Sequence, residues 1–163
     1  MRAVARTTID ELLADARRRL ARLDPAQALR AMRAGAALID IRSDTQLARD
    51  GIIAGALVIP RNVLEWRLDP VSQLRHPRAP QLDDQVILLC DEGCQSSLAA
   101  ATLQQLGFAR ATDVKGGFQA WRAAGLPVEQ PSPPGKWHRR HRAVAQRAVL
   151  RAQPLAPPAT KPK

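Results

Sequence analysis

One stretch decides the fold class of this 163-residue chain: Val86-Ile-Leu-Leu-Cys90-Asp-Glu-Gly-Cys-Gln-Ser-Ser-Leu98. Its first four residues are apolar and continuous, which is typical of a strand buried on both faces in a parallel sheet. A five-residue loop follows the cysteine, and Ser96 then opens an Ala/Leu-rich segment that predicts a helix closed by Gly107. Cys90 therefore lies where a buried strand ends and leads through a short loop into a helix.

The place of Cys90 in this pattern suits a reactive thiol. Ligands of parallel α/β sheets bind at the carboxyl ends of the strands, and unpaired N–H groups at a helix start stabilise negative charge. Such a position favours the thiolate, which is the nucleophilic form of cysteine. A buried cysteine that acts only as a small apolar side chain explains the same pattern, so the position alone leaves both interpretations open.

Strand and helix patterns alternate along the rest of the chain. Apolar runs at residues 37–42, 56–60 and 111–114 indicate further strands, and helical patterns lie between them. Before the first strand, Thr8 and the Asp24-Pro25 pair mark the starts of two more helices. This alternation predicts an α/β fold with a parallel sheet that helices cover on both faces.

A group of arginines shares the polar face of the first helical pattern and the residues just after it. The group consists of Arg17, Arg18, Arg19 and Arg22. Such a run suits either an acidic partner or contact with water, and we interpret it as a solvated face.

Most of the net charge of +10 lies in the C-terminal tail. Eight lysines and arginines and no acidic residue follow Glu129, which leaves a net charge of only +2 for the preceding residues. The tail is rich in proline, and we expect it to be partly helical or disordered. Because its charged residues are all basic, we expect it to bind an acidic partner. We do not expect nucleic-acid binding, because no recognition motif accompanies these basic residues.

The cysteine count and the hydropathy pattern argue against several classes of protein. Cys90 and Cys94 are the only cysteines, which is too few for a disulfide framework, and the three histidines lie far from them in sequence. We therefore expect no metal and no cofactor. No apolar run approaches the ~20 residues of a membrane span, and no secretory signal pattern precedes Asp10. We expect a cytoplasmic protein that does not bind a membrane.

Three motifs in a fixed order point to a known family. They are Leu38-Ile-Asp40-Ile-Arg42 with Gly51-Ile-Ile-Ala-Gly55-Ala56, the Cys90 loop, and Gly116-Gly117-Phe118-Gln-Ala-Trp121 with Ala123-Ala-Gly125-Leu-Pro127. Together they resemble the single-domain rhodanese-like proteins, a family of sulfurtransferases. The resemblance implies a three-layer fold with a central parallel sheet of about five strands. It also divides the chain into an N-terminal helical extension (residues 1–27), a rhodanese-like domain (28–129) and a basic tail (130–163).

The same resemblance implies a persulfide on Cys90, formed with sulfane sulfur from a small-molecule or protein donor and passed to a thiophilic acceptor such as a thiol. It implies that N–H groups of the loop cradle this anion. The loop residues are Asp91, Glu92, Gly93, Cys94, Gln95 and Ser96. Asp40 and Arg42 match a family pair near the loop, and we expect them to order the loop by hydrogen bonds. A plain surface ion pair is the alternative.

The loop departs from the family pattern in two ways. Members that use thiosulfate usually carry basic residues there, whereas this loop has Asp91 and Glu92, which repel a dianion. We therefore expect thiosulfate to be a poor donor, and a neutral or cationic donor or a protein persulfide to be a better one. Cys94 is the second departure: it can act as a resolving thiol that attacks a Cys90 persulfide, or be a small side chain without a role.

Two functional hypotheses follow from these observations. The first is a sulfurtransferase that acts through Cys90. The second is a non-catalytic rhodanese-like module for binding or redox sensing, whose basic tail contacts an acidic partner. Related phosphatases need an arginine in a longer loop to bind phosphate bidentately, and no arginine lies between Cys90 and Leu98.

Overall fold

Four short parallel strands form the sheet in residues 6–130, which are the part of the chain described by the computed structural model. The strands are β1 (Ala37–Asp40), β2 (Leu57–Val58), β3 (Val86–Leu89) and β4 (Ala111–Asp113). They lie in the order β2-β1-β3-β4, with β1 and β3 in the centre. The predicted α/β class with a parallel sheet is confirmed, with four strands where about five were expected. A single bridge between Leu23 and Val114 extends the pairing beyond β4.

Six α-helices and one short 3₁₀-helix accompany these strands in the described residues. The α-helices are α1 (Ile9–Arg18), α2 (Pro25–Arg33), α3 (Asp44–Asp50), α4 (Leu64–Leu68), α5 (Gln95–Gln105) and α6 (Gly117–Ala123), and the 3₁₀-helix is Arg61–Val63. Thr8 and Asp24 close capping boxes at the starts of α1 and α2, as their sequence pattern predicts. Helix α2 spans the predicted boundary between residues 27 and 28. Helix α5 starts one residue before the predicted Ser96.

The side chains of β3 fill the core on both faces of the sheet. Successive residues of a strand point to opposite faces, so Val86 and Leu88 join one apolar cluster while Ile87 and Leu89 join the other. The first cluster includes residues of α5, and the second includes Phe118 of α6. All four β3 residues are fully buried, which is why the strand is continuously apolar in sequence.

The predicted N-terminal extension and the predicted basic tail differ in how far the structure describes them. The N-terminal extension forms α1, which packs against α5. The basic tail predicted for residues 130–163 lies outside the described residues from position 131 onward. None of the helices in residues 6–130 has the length and hydropathy needed to cross a bilayer.

The start of α6 fixes the chain directly after β3. The N–H groups of Phe118 and Gln119 donate to the carbonyl oxygens of Cys90 (2.8 Å) and Asp91 (3.0 Å). Gly117 has a φ of +57°, and a Cβ atom there would lie 2.5 Å from the Cys90 carbonyl oxygen. Only glycine permits this close approach, so the Gly-Phe pair of the third sequence motif holds the cysteine backbone in place.

We predict that Gly117→Ala destabilises the fold by about 3 kcal/mol or more, because it combines a left-handed φ with a backbone clash. Gly125→Ala is the matched control, since Gly125 has a φ of +67° but a Cβ atom there would meet nothing within 4 Å. The control should cost only about 1 kcal/mol. Urea denaturation measures both values, and equal losses would contradict the packing role of Gly117.

Candidate active site around Cys90

Backbone amides surround the sulfur of Cys90 at the carboxyl end of β3. The N–H groups of Gly93 and Ser96 donate to Cys90 Sγ at 3.1 and 3.3 Å. Ser96 lies in the first turn of α5, where N–H groups have no partner within the helix. Converging N–H groups of this kind form an anion-binding concavity, so the geometry suits a thiolate or another anionic sulfur species.

The conformation of Gly93 makes this arrangement possible. Its φ of +79° is in the left-handed region, and a Cβ atom there would lie 2.7 Å from the Gly116 nitrogen. The loop therefore turns tightly beneath the Gly116-Gly117 segment, and this turn brings the Gly93 N–H back onto the sulfur.

The Ser96 hydroxyl links the sulfur to a buried carboxylate. Ser96 Oγ lies 3.2 Å from Cys90 Sγ and 3.0 Å from Asp113 Oδ2. A hydroxyl has one proton, so it accepts from the Cys90 S–H while donating to Asp113, or it donates to an ionised sulfur instead. The Ser97 hydroxyl, 2.7 Å from the same carboxylate oxygen, remains available to Asp113 in either case. Ser96 can therefore serve both ionisation states of the cysteine.

Arg22 forms an ion pair with the buried Asp113 behind the loop. Arg22 Nε lies 2.7 Å from Asp113 Oδ1, and the Asp113 side chain is 0% exposed. A guanidinium nitrogen of Arg17 also reaches this region, 2.9 Å from the Gly93 carbonyl oxygen. The interpretation of these arginines as a solvated face is wrong for both. Arg18 and Arg19 are exposed and pair with Asp15.

Four supporting residues of the site were not predicted: Arg17, Arg22, Ser97 and Asp113. Asp113 carried a usable signal, because an acidic residue at the carboxyl end of a strand next to β3 lies at the same sheet edge as Cys90. The two arginines carried no such signal, since helical periodicity separates polar from apolar faces without showing what each polar side chain meets.

The remaining loop residues face outward to different degrees. Asp91 is partly buried, with Gln119 Nε2 at 2.8 Å and a nitrogen of Arg49 at 3.5 Å from its carboxylate. Glu92, Cys94 and Gln95 are exposed. Within residues 6–130, Glu92 makes no ion pair, so it is the loop carboxylate whose charge is not offset by a neighbouring arginine.

A second acidic group, Asp50, lies beside Asp91 and shares its partners. Its carboxylate accepts from Arg49 (2.6 Å) and from Gln119 (3.3 Å). The hydrogen bond from Arg49 lowers the pKa of Asp50 below its usual value, against the opposing effect of burial, and Gln119 and Arg122 add to the lowering. Asp50 therefore stays ionised and helps to hold Gln119 and Arg49 near the loop.

The Asp40–Arg42 pair is buried, so its interpretation as a plain surface ion pair is wrong. A nitrogen of Arg42 lies 2.6 Å from Asp40 Oδ2, and neither side chain is more than 1% exposed. Arg42 also donates to the Gly51 carbonyl and stacks on the Phe118 ring, 3.6 Å from its centroid. Its side-chain hydrogen bonds go to Asp40 and Gly51 rather than to the loop. The pair is connected to Cys90 indirectly: Arg42 contacts the Phe118 ring, and the Phe118 N–H donates to the Cys90 carbonyl oxygen.

Cys94 is a free, exposed thiol on the outer side of the loop. A nitrogen of Arg17 lies 3.8 Å from its sulfur.

In the described part of the chain, no group of three or more histidine, cysteine, aspartate or glutamate side chains is arranged to hold a metal ion. The chemistry that the geometry supports is that of a thiol held by backbone donors.

A parallel α/β sheet whose central strand ends in an amide-bound cysteine defines a protein with a thiol-based site. The sequence model of the rhodanese-like domain matches residues 24–124, which is more than half of the chain. The chain therefore belongs to the rhodanese-like domain family.

Curated relatives carry sulfurtransferase names. The chain is 32% identical over 94 residues to a sulfurtransferase of Allochromatium vinosum, which covers 58% of this chain and 78% of that protein. It is 37% identical over 109 residues to the thiosulfate sulfurtransferase GlpE of Pseudomonas putida, covering 66% and 89% of the two chains.

Solved structures agree on the fold. A Rhodopseudomonas palustris protein of unknown function, described as a possible tyrosine phosphatase, is 32% identical with a TM-score of 0.71, covering 79% of this chain and 99% of that one. The polysulfide-sulfur transferase homodimer of Wolinella succinogenes is 23% identical with a TM-score of 0.59, covering 75% and 87%. The latter likeness concerns the fold alone.

We predict that Ser96→Ala slows alkylation of Cys90 by about tenfold at neutral pH, because the ionised sulfur loses a charge-assisted hydrogen bond. Thr102→Ala is the matched control, since the Thr102 hydroxyl lies in the same helix but donates to the Leu98 carbonyl. Iodoacetamide kinetics in a Cys94→Ser background report Cys90 alone. Equal rates for the two variants would contradict the role of the hydroxyl.

Proposed function

We propose that this protein is a rhodanese-type sulfurtransferase that carries sulfane sulfur as a persulfide on Cys90. The observation that carries this proposal is the pair of N–H groups, from Gly93 and Ser96, that donate to Cys90 Sγ at 3.1 and 3.3 Å. Membership of the rhodanese-like family and the sulfurtransferase names of its relatives support the same assignment.

The proposed reaction has two steps, in which one sulfur atom is gained and then passed on. The Cys90 thiolate attacks the sulfane sulfur of the donor, a new S–S bond forms, and the donor leaves with the electron pair of the broken bond. The leaving group is a thiolate when the donor is a persulfide and sulfite when it is thiosulfate. An acceptor nucleophile then attacks the outer sulfur, and the S–S bond to Cys90 breaks to regenerate the thiolate.

The amide donors act in both steps. The negative charge lies on Cys90 Sγ before the first step and on the outer sulfur after it. The Gly93 and Ser96 N–H groups stabilise charge at Sγ, and they do so without reorganisation because the loop is already folded around the sulfur. The Ser96 hydroxyl supplies a third donor when the cysteine is ionised.

We further propose that thiosulfate is a poor donor and that a neutral or cationic sulfane compound, or a protein persulfide, is preferred. No residue from Asp91 to Ser96 is cationic, and Glu92 is exposed on the loop. Arg49 offsets the charge of Asp91, which leaves Glu92 as the main source of repulsion toward a dianion. The name of the GlpE relatives indicates thiosulfate for those proteins.

A redox-sensing role is the second candidate, and the position of Cys94 favours it. Cys94 is exposed on the same loop, with a guanidinium nitrogen of Arg17 3.8 Å from its sulfur. In this alternative the Cys94 thiolate attacks Sγ of the Cys90 persulfide, a Cys90–Cys94 disulfide forms, and hydrosulfide leaves. The protein would then release sulfide instead of passing sulfur to an acceptor.

Phosphatase activity is not proposed, although one structural neighbour is described as a possible tyrosine phosphatase. The loop from Cys90 to Leu98 contains no arginine for bidentate binding of a phosphate group.

We predict that cysteine persulfide adds the mass of one sulfur atom to the protein and that cyanide removes it as thiocyanate. Cys90→Ser should abolish the adduct, and Cys94→Ser should retain it. Intact-protein mass spectrometry measures all three proteins. An unmodified wild-type protein would refute the transferase assignment. A Cys90–Cys94 disulfide in place of the adduct, with sulfide released, would favour the sensing role.

We also predict that Glu92→Lys raises kcat/KM for thiosulfate by about tenfold or more, because a repulsive charge near the sulfur becomes attractive. The value for cysteamine persulfide, a cationic donor, should not rise. Asp83→Lys is the matched control, since it changes the net charge equally in an exposed turn before β3, at the opposite end of the sheet. An equal gain from Asp83→Lys would contradict local control by Glu92.

A further inference from the structure

Two arginines from the N-terminal segment converge on one carbonyl of the sulfur-binding loop. A nitrogen of Arg17 lies 2.9 Å from the Gly93 carbonyl oxygen, and a nitrogen of Arg22 lies 3.1 Å from it. Gly93 is the residue whose N–H donates to Cys90 Sγ. The same residue is therefore held by guanidinium groups at its carbonyl and binds the sulfur with its amide.

These contacts are part of a packed network. Arg22 is 15% exposed and also binds both carboxylate oxygens of Asp113, at 2.7 and 3.1 Å. Asp113 Oδ2 in turn lies 3.0 Å from the Ser96 hydroxyl, which contacts Cys90 Sγ and donates to Asp113 while the cysteine is a thiol. Arg22 is thus connected to the sulfur indirectly in two ways, through Gly93 and through Asp113 and Ser96.

Arg17 adds a second set of contacts to the same loop. Besides the Gly93 carbonyl, it contacts the Ser97 hydroxyl at 3.3 Å. The Ser97 hydroxyl also lies close to the Gly93 carbonyl oxygen, at 3.1 Å, and to Asp113 Oδ2, at 2.7 Å. It has one proton to donate, and two guanidinium donors already reach the Gly93 carbonyl, so Asp113 is its nearer acceptor.

A glycine in the left-handed region needs such support. It has no side chain to restrict it, and its backbone loses more conformational freedom on ordering than that of any other residue. Hydrogen bonds from charged donors are about twice as strong as neutral ones, and two of them fix the orientation of the Gly93–Cys94 peptide group. The guanidinium groups also place positive charge behind a loop that has no cationic residue of its own.

Both arginines lie before residue 24, where the match to the family model begins. We propose that Arg17 and Arg22 are positioning residues for sulfur transfer, which act on Cys90 through Gly93 and Asp113. The N-terminal segment then contributes positioning residues to the site. This inference rests on the proposed function, because it assigns the arginines to the anionic sulfur of Cys90.

The experiment uses the full chain in a Cys94→Ser background, with cysteine persulfide as donor and cyanide as acceptor. Arg17→Ala and Arg22→Ala should each lower kcat by about tenfold while KM for the donor changes by less than about twofold, because each loses charge-assisted bonds that orient the loop. Arg18→Ala and Arg19→Ala remove the same charge from the same segment. The side chains of Arg18 and Arg19 are exposed and pair with Asp15, so these two variants should retain the reference kcat.

The conservative variants separate positioning from stability. Arg17→Lys keeps the charge and one donor nitrogen, and it should react faster than Arg17→Gln, which keeps a polar side chain without charge. This pair decides the matter if an alanine variant fails to fold, and thermal denaturation of every variant gives its folded fraction. The inference would be overturned by equal kcat values for Arg17→Lys and Arg17→Gln at equal folded fraction. It would also be overturned by alanine variants whose kcat matches that of the Arg18 and Arg19 controls.

Alkylation distinguishes this inference from the proposed function. Iodoacetamide modifies Cys90 whether or not the protein transfers sulfur, and its rate should fall in the Arg17 and Arg22 variants but not in the controls. A reference protein that forms no persulfide would refute the transferase assignment, and the alkylation rates would still show whether the two arginines position Cys90. Unchanged alkylation rates in an active protein would refute the positioning role alone.

Discussion

The N–H groups of Gly93 and Ser96 can hold the Cys90 sulfur only if three separate elements keep the loop in place. Strand β3 is buried on both faces and fixes the position of Cys90 in the sheet. The first turn of α5 supplies the Ser96 N–H, and the start of α6 binds the Cys90 carbonyl through Phe118. An anion in a buried position is costly unless donors are already directed at it, so the chemistry depends on this prior order.

Charge around the loop differs from what its sequence indicates. In the amino-acid sequence the loop is acidic, with Asp91 and Glu92 after the cysteine. In the folded chain, Arg49 lies against Asp91, while Arg17 and Arg22 approach the loop from the N-terminal segment. The fold thus supplies positive charge from behind the loop and leaves Glu92 exposed on the loop.

Much of the fold and the centre of the site could be predicted from local patterns. The continuous apolar run indicated β3, Thr8 and Asp24 indicated two helix starts, and the strand–loop–helix order placed Cys90 at a strand end. These features depend on neighbours in sequence. All four strands follow apolar runs of the sequence, and the expected count of about five came from the family resemblance rather than from a fifth run.

The supporting shell could not be predicted, because it depends on residues far apart in the chain. Arg22 and Asp113 are separated by 91 positions, and Arg17 and Gly93 by 76. A polar face is compatible with water, a partner or a buried carboxylate. Only the packing of α1 against α5, and of the segment after α1 against β4, decides between them. For Asp40 and Arg42, sequence spacing indicated a pair but not its burial beneath Phe118.

The central claim is that the Gly93 and Ser96 amides bind an anionic sulfur on Cys90, and amide NMR tests it most directly. Spectra of the protein would be compared before and after loading with cysteine persulfide. The account predicts that the amide protons of Gly93 and Ser96 change their chemical shifts, while that of Gly35, in the turn before β1, stays in place. A persulfide that forms on Cys90 without moving either amide proton would contradict the account.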